Sequence, residues 1–165
     1  MSERITFTLH ELIAELDAYA DDVLRQHYGV SFNHFQFLAV LSDVEPADMT
    51  TLARCLGVTK AAVSKRVPAL VDEGWIVATS PAGGGRSILL TLTPKGTDLV
   101  RTAGTALEAE FTAMLADPAL DTDPIDVPRL NRQLVALTAL VMEKSATRIA
   151  RTKETTPWPR PASSS

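Results

Sequence analysis

The stretch GVTKAAVSKRVPALVDEGW, Gly57 to Trp75, limits the fold more than any other part of this chain. Gly57 stops one short apolar-patterned segment, and two residues later Thr59 opens another. Glycine ends helices because it enters the left-handed conformation without a side-chain penalty. Threonine begins them by accepting a hydrogen bond from a free amide. Two helices joined by the turn Gly57-Val58-Thr59 have the spacing of a helix-turn-helix. On a wheel of about 100° per residue, Val63, Val67 and Leu70 share one side, and Ala61, Lys65 and Pro68 face the other. A proline in an ordinary helix interior lacks the amide donor and crowds the carbonyl four residues back, at a cost of ~3 kcal/mol. On the outward side Pro68 displaces no core residue, and water reaches the Ser64 carbonyl. The helix tolerates it there.

The rest of the chain supplies the context. Thr8 to Gln26 has helical spacing, with Thr8 and Glu11 in the positions of a capping box, and Gly29 breaks it. Ser31 caps a second helix through Phe35, Leu38 and Leu41, and Asp48 caps a short third one, Met49–Leu56. The helix that starts at Thr59 runs to Gly74. Two β-prone stretches follow, WIVAT and SILLTLT, joined by the tip SPAGGG. Thr93 caps a fifth helix, Pro94 to about Ala116, with proline at the one position where its lost donor does no harm. A loop, DPALDTDPID, leads to a sixth helix from Asp126 or Val127 along Leu130, Leu134, Leu137 and Val141 to about Ile149. Residues 151–165 have the composition of a disordered tail. A hairpin directly after a helix-turn-helix makes a winged helix. The predicted fold is mainly α, a winged helix-turn-helix domain with a two-strand β-wing.

Net charge is −4 over 165 residues, which by itself argues against a nucleic-acid ligand. The charge is uneven, however. Thr50 to Arg101 holds seven basic residues against three acidic ones, a surplus of four, and leaves −8 for everything else. A basic middle in an acidic chain is the footprint of one region that meets phosphate. The longest apolar-leaning run, Leu134–Met142, is too short to span a bilayer, and the N-terminus lacks the apolar run of a signal peptide. The single cysteine, Cys55, cannot form an internal disulfide and suits a reducing compartment. The expected location is the cytoplasm.

The outward face of the capped helix carries the chemistry. Ala61 and Ala62 are small enough to let the backbone approach base edges, and alanine can touch a thymine methyl. Ser64 and Lys65 add donors. Thr59 and the free amides behind it can hold a phosphate oxygen, while Lys60 and Arg66 flank the apolar side and can reach sideways to phosphate. A solvated amphipathic helix explains the same face in isolation; the tight turn and the wing favour DNA.

With these residues in place the chain resembles the MarR (multiple antibiotic resistance regulator) family of bacterial winged-helix transcription factors. LARCLGVTKAAVSKRVPALVDEGWI matches the family's leucine, glycine, valine-serine and glycine-apolar landmarks, and LLTLTPKG matches its wing exit. The resemblance implies one domain over 1–150, with the winged helix at about 32–93 and dimerisation helices at about 8–27 and 94–150. It implies a homodimer that presents two recognition helices to a pseudo-palindromic operator, with half-sites ~34 Å apart. Phe7, Leu9, Leu12, Leu16, Leu130, Leu134, Leu137 and Val141 are the candidate dimer residues. It also implies a repressor released by a small aromatic or anionic effector, for which Tyr19, His34 and Trp75 are the candidates, with His27 and Phe35 near them in type.

The wing departs from the family. Gly84, Gly85 and Arg86 stand where an Asp-Arg-Arg run is usual, and Ala78 and Thr79 replace arginines of the preceding strand. Arg86 is the wing residue expected at the minor groove or a phosphate, on a wing made mobile by its glycines. Cys55 is expected to be an inert or semi-buried thiol, and His10, His27 and His34 lack metal-ligand spacing. No catalytic constellation, metal site or cofactor is expected. The alternative is a winged helix reused as a protein-interaction module.

Overall fold

The computed structural model describes residues 4–80, 87–120 and 124–154. The chain divides into two compact units, Met1–Thr112 and Ala113–Ser165. The first holds α1 (Ile5–Tyr28), α2 (Phe32–Val44), β1 (Ala47–Asp48), α3 (Met49–Leu56), α4 (Lys60–Asp72), β2 (Ile76–Thr79), β3 (Leu89–Leu92) and most of α5 (Pro94–Leu115). The second holds the end of α5, a 3-10 turn at Pro118–Leu120, and α6 (Val127–Glu154).

Local chemistry sets most boundaries. Ser31 accepts from the His34 amide at 3.2 Å, Asp48 from Thr51 at 2.7 Å and Thr59 from Ala62 at 3.2 Å. Thr93 accepts from the Gly96 amide at 3.2 Å and Asp126 from Arg129 at 3.0 Å, so both later helices are capped as well. Gly57 and Gly74 end their helical segments in the left-handed conformation, with φ of 67° and 74°. Any other residue would be strained there.

Three expectations are corrected. α1 begins at Ile5 and not at Thr8, and no side chain caps it. The Thr8 amide already bonds to the Arg4 carbonyl, so Thr8 lies within the helical ladder and cannot serve as its cap. The sheet has a third strand: its order is β1-β3-β2, all antiparallel, with Ala47 opposite Leu90 and Ile76 opposite Leu92. Finally, α6 continues through Glu154, so residues 151–154 are helical, and the remainder of the expected tail, 155–165, lies outside the described residues.

α2 runs through the middle of the first unit. Phe37, Leu38 and Leu41 are fully buried, together with Leu24 of α1, Leu52 of α3, Val63 of α4 and Leu90 of β3. Each large side chain taken out of water contributes ~1.5–3 kcal/mol. The core therefore fixes the two helices of the motif and the root of the wing against one central helix. Beyond β1, the Leu92 amide of β3 donates to the Glu45 carboxylate at 2.6 Å. α6 differs in kind: every described side chain from Val127 to Arg148 is exposed, Leu130, Leu134, Leu137 and Val141 included.

Candidate nucleic-acid interface

The turn between α3 and α4 is tightly specified. The Gly57 amide reaches the Arg54 carbonyl, and the Val58 amide bonds to the Ala53 carbonyl at 3.0 Å. Val63, Val67 and Leu70 are buried, which pins one face of α4 inward. The opposite face stands in solvent: Thr59, Lys60, Ala61, Ser64, Lys65 and Pro68 are exposed, and Ala62 is half-buried. Pro68 lies on the outside of an unbroken helix, as the wheel requires.

The front of α4 is an electropositive surface. Its first turn contains no acidic residue, its helix dipole ends there, and Lys60 and Lys65 stand beside it. Thr59 Oγ spends an acceptor on the Ala62 amide and keeps its hydroxyl proton for an outside oxygen. Nearby, Asp48 is held below the usual carboxylate range, first by the backbone amide of Thr51 and more weakly by the Lys60 charge.

Arg66 behaves differently from its neighbours on the helix. Its guanidinium turns back from the outward face and donates through Nη2 to the Asn33 carbonyl in the first turn of α2. It also lies over the Phe37 ring, 5.0 Å from the centroid. Burial pulls its pKa down from the usual arginine range. The sequence placed Arg66 beside the apolar side but gave no sign of this partner, which is 33 residues away.

The base of α4 meets the wing root and α5 in a joint of aromatic and charged groups. The rings of His34 and Trp75 stand edge to face, 5.2 Å apart. The Lys95 ammonium sits 3.7 Å from the Trp75 ring centroid and donates to the Glu73 carbonyl at 2.8 Å. Trp75 Nε1 donates to the Glu73 carboxylate at 2.9 Å. His34 Nε2 is buried without a hydrogen-bond partner. Of the three effector candidates, His34 and Trp75 come together and Tyr19 does not join them. Tyr19 donates to Glu110 at 3.0 Å, which holds its phenol pKa up. Glu110 is fifteen residues beyond Lys95 on α5, about 22 Å along the helix axis. Among the other candidates, His27 is exposed and Phe35 is core.

Gly84, Gly85 and Arg86 lie outside the described residues. Cys55 is exposed on α3, about 200° around the helix from buried Ala53, where an inert or semi-buried thiol was expected. Among the described residues no three His, Cys, Asp or Glu side chains gather as metal ligands, and no helix is long and apolar enough to cross a membrane.

Residues 28–87, which span the motif and the wing, match the model of the MarR family. No curated protein matches the chain. Among solved structures, it is similar to Streptococcus pneumoniae FabT in complex with DNA, at 17% identity. That match covers 86% of this chain and 97% of the other, with a TM-score of 0.70. A putative MarR family transcriptional regulator from Listeria monocytogenes, complexed with 26mer DNA, is also 17% identical. It covers 97% of this chain and 100% of its own, again with a TM-score of 0.70. Mycobacterium tuberculosis MarR family protein Rv2887, in complex with p-aminosalicylic acid, is 25% identical over 83% of this chain and 98% of its own, with a TM-score of 0.59.

Proposed function

We propose, on the premise that this chain is a winged helix-turn-helix member of the MarR family, that it works as a dimeric repressor on double-stranded DNA. A regulator of this family is a transcription factor and not an enzyme. The observation that carries the reading is the outward face of α4: a capped helix start, small residues at the front, and Lys60 and Lys65 exposed beside them. Thr59, Lys60, Ala61, Ala62, Ser64 and Lys65 are the residues we assign to the major groove and its phosphates, with Arg86 at the wing. FabT and the Listeria regulator, which share the fold, were each solved with DNA, and this supports the assignment.

The dimer rests on α6. Val127, Leu130, Leu134, Leu137 and Val141 recur at alternating steps of three and four, the spacing of a two-helix seam, and all five are exposed. Phe7, Leu12 and Ile13 of α1 are exposed as well. A second copy is the cover we assign to these faces, and it places two α4 helices on a pseudo-palindromic operator. The effector we assign is a small aromatic anion, the ligand class seen with Rv2887, and His34 and Trp75 remain its candidate contacts. The place of action is the cytoplasm, where the DNA is.

Footprinting on the DNA upstream of the protein's own gene, with a potassium chloride series, tests the reading. A protected pseudo-palindrome with a steep salt dependence is expected, because displaced phosphate counterions produce that slope. Binding that ignores salt, or binds only protein, would establish the interaction module instead.

A further inference from the structure

We propose that Arg66 is a positioning residue for DNA recognition: it fastens the reading half of α4 to the start of α2 and makes no contact with phosphate. The inference rests on the DNA-binding reading of α4 and deepens it. Two independent observations carry it.

The first is the set of partners. Arg66 Nη2 donates to the Asn33 carbonyl, and the guanidinium plane lies over Phe37, which is fully buried. A guanidinium over a core ring is at the rim of the interior, while Ser64 and Lys65, the two residues before it, stand in solvent. To reach a phosphate, Arg66 would have to give up both the carbonyl and the ring. Its acceptor is a neutral peptide carbonyl; the first turn of α2 has no acidic residue, and the nearby Asp21 carboxylate accepts from Phe32 at 2.7 Å and pairs with Arg25. Arginine's planar fork suits this combination of a carbonyl and an aromatic face, which a lysine cannot reproduce.

The second is the location. Pro68 has no amide hydrogen, so the Ser64 carbonyl lacks its donor within α4 and the helix is weakest about there. Beyond that point Leu70 is buried and holds the C-terminal half. Before it, Val63 and Val67 hold the inward face, and Arg66 adds a polar tie that runs from the reading half across to α2. The clamp sits two residues before the weak point, where it has the most control over tilt.

Anisotropy titrations with operator duplex in a potassium chloride series test this, run at a temperature where every variant is fully folded. Affinity then reports helix position and not the folded fraction. Arg66→Met should weaken binding roughly ten-fold at every salt concentration with the slope unchanged, a loss of the size expected for a charge-assisted bond. Lys65→Ala should flatten the slope by about one. Arg66→Lys should resemble Arg66→Met. A slope flattened by about one in Arg66→Met, or affinity restored by Arg66→Lys, would overturn the clamp and return Arg66 to the phosphates. Melts of Arg66→Met, Phe37→Leu and the double variant supply a second reading. Losses smaller in combination than their sum support the clamp, and additive losses refute it. A wild-type protein that binds no duplex sinks the regulator reading, and the melts then decide the clamp by themselves.

Discussion

Gly96 packs its α-carbon against the carbonyl of Trp75. A β-carbon built there would press into that oxygen, well inside van der Waals contact, and would lie 3.3 Å from Leu92 Cδ2. The same carbonyl accepts from the Thr93 amide at 3.0 Å, and the Thr93 hydroxyl lies 2.7 Å from the Gly74 carbonyl. Thr93 and Gly96 thus buckle the first turn of α5 to the end of the α4 segment. Gly96→Ala should cost about 1–3 kcal/mol, the usual price of overpacking, although alanine is the better helix former. Gly104→Ala is the control on the same helix. Its β-carbon meets only Phe35 Cζ at 3.8 Å, so that variant should gain ~0.5–1 kcal/mol. Thermal melts of the pair check both signs.

Thr59→Ala removes the acceptor for the Ala62 amide and should destabilise the protein by about 1 kcal/mol. It also removes a hydroxyl that we place at the duplex, so its DNA affinity should fall beyond the stability loss. Calorimetry and anisotropy, read side by side, separate the two effects.

His34 gives stability a pH dependence of known sign. Burial pushes its pKa below the ordinary value of about 6.5, Arg66 and Lys95 push the same way, and only Glu73 opposes them. The folded state therefore binds fewer protons than the unfolded chain. The stabilising difference is fully present above the unfolded value and is lost as pH falls through the folded one. Melting temperature should drop from pH 6.5 downward in wild type, and less in His34→Phe. Asp21 and Asp48 are also depressed, but their window opens only below about pH 4. Equal slopes in the two proteins would show that His34 is solvated.

Leu134→Glu with Leu137→Glu places charges in the exposed stripe of α6. If a second copy covers that stripe, sedimentation should fall from dimer to monomer mass, and operator affinity should collapse by orders of magnitude with it. An unchanged mass would assign the stripe to another partner.

Pro68→Ala restores a backbone donor to an exposed position in α4. It should be neutral or stabilising in a melt. A strong loss would mean that the proline supports packing the helix needs.

Much of this architecture was legible because it depends on neighbours in sequence. Ser31, Asp48, Thr59 and Thr93 each cap a helix through an amide three residues on, which a reader of the sequence can see. Thr8 had the same local signature and failed, because the helical ladder already runs back to the Arg4 carbonyl, which takes the Thr8 amide. The strand at Ala47–Asp48 was invisible, since only its pairing with Leu89 and Leu90 defines it. The site divided along the same line. The wheel found the outward residues of α4, but the partner of Arg66 is on another helix, and so the sequence suggested phosphate. His34 and Trp75 were named for their chemistry, and only the fold could show that they touch while Tyr19 is elsewhere.

The setting of Trp75 has a spectroscopic consequence. An ammonium lies over its indole, an imidazole stands nearly perpendicular beside it, and its N–H is tied to a carboxylate. Cations and polar neighbours of this kind govern how an indole emits. The chain has one other tryptophan, Trp158, so Trp158→Phe leaves a single fluorophore at the place where the wing root meets α5. Its colour and brightness then make a built-in gauge of that joint, with no label attached to the exposed face of α4.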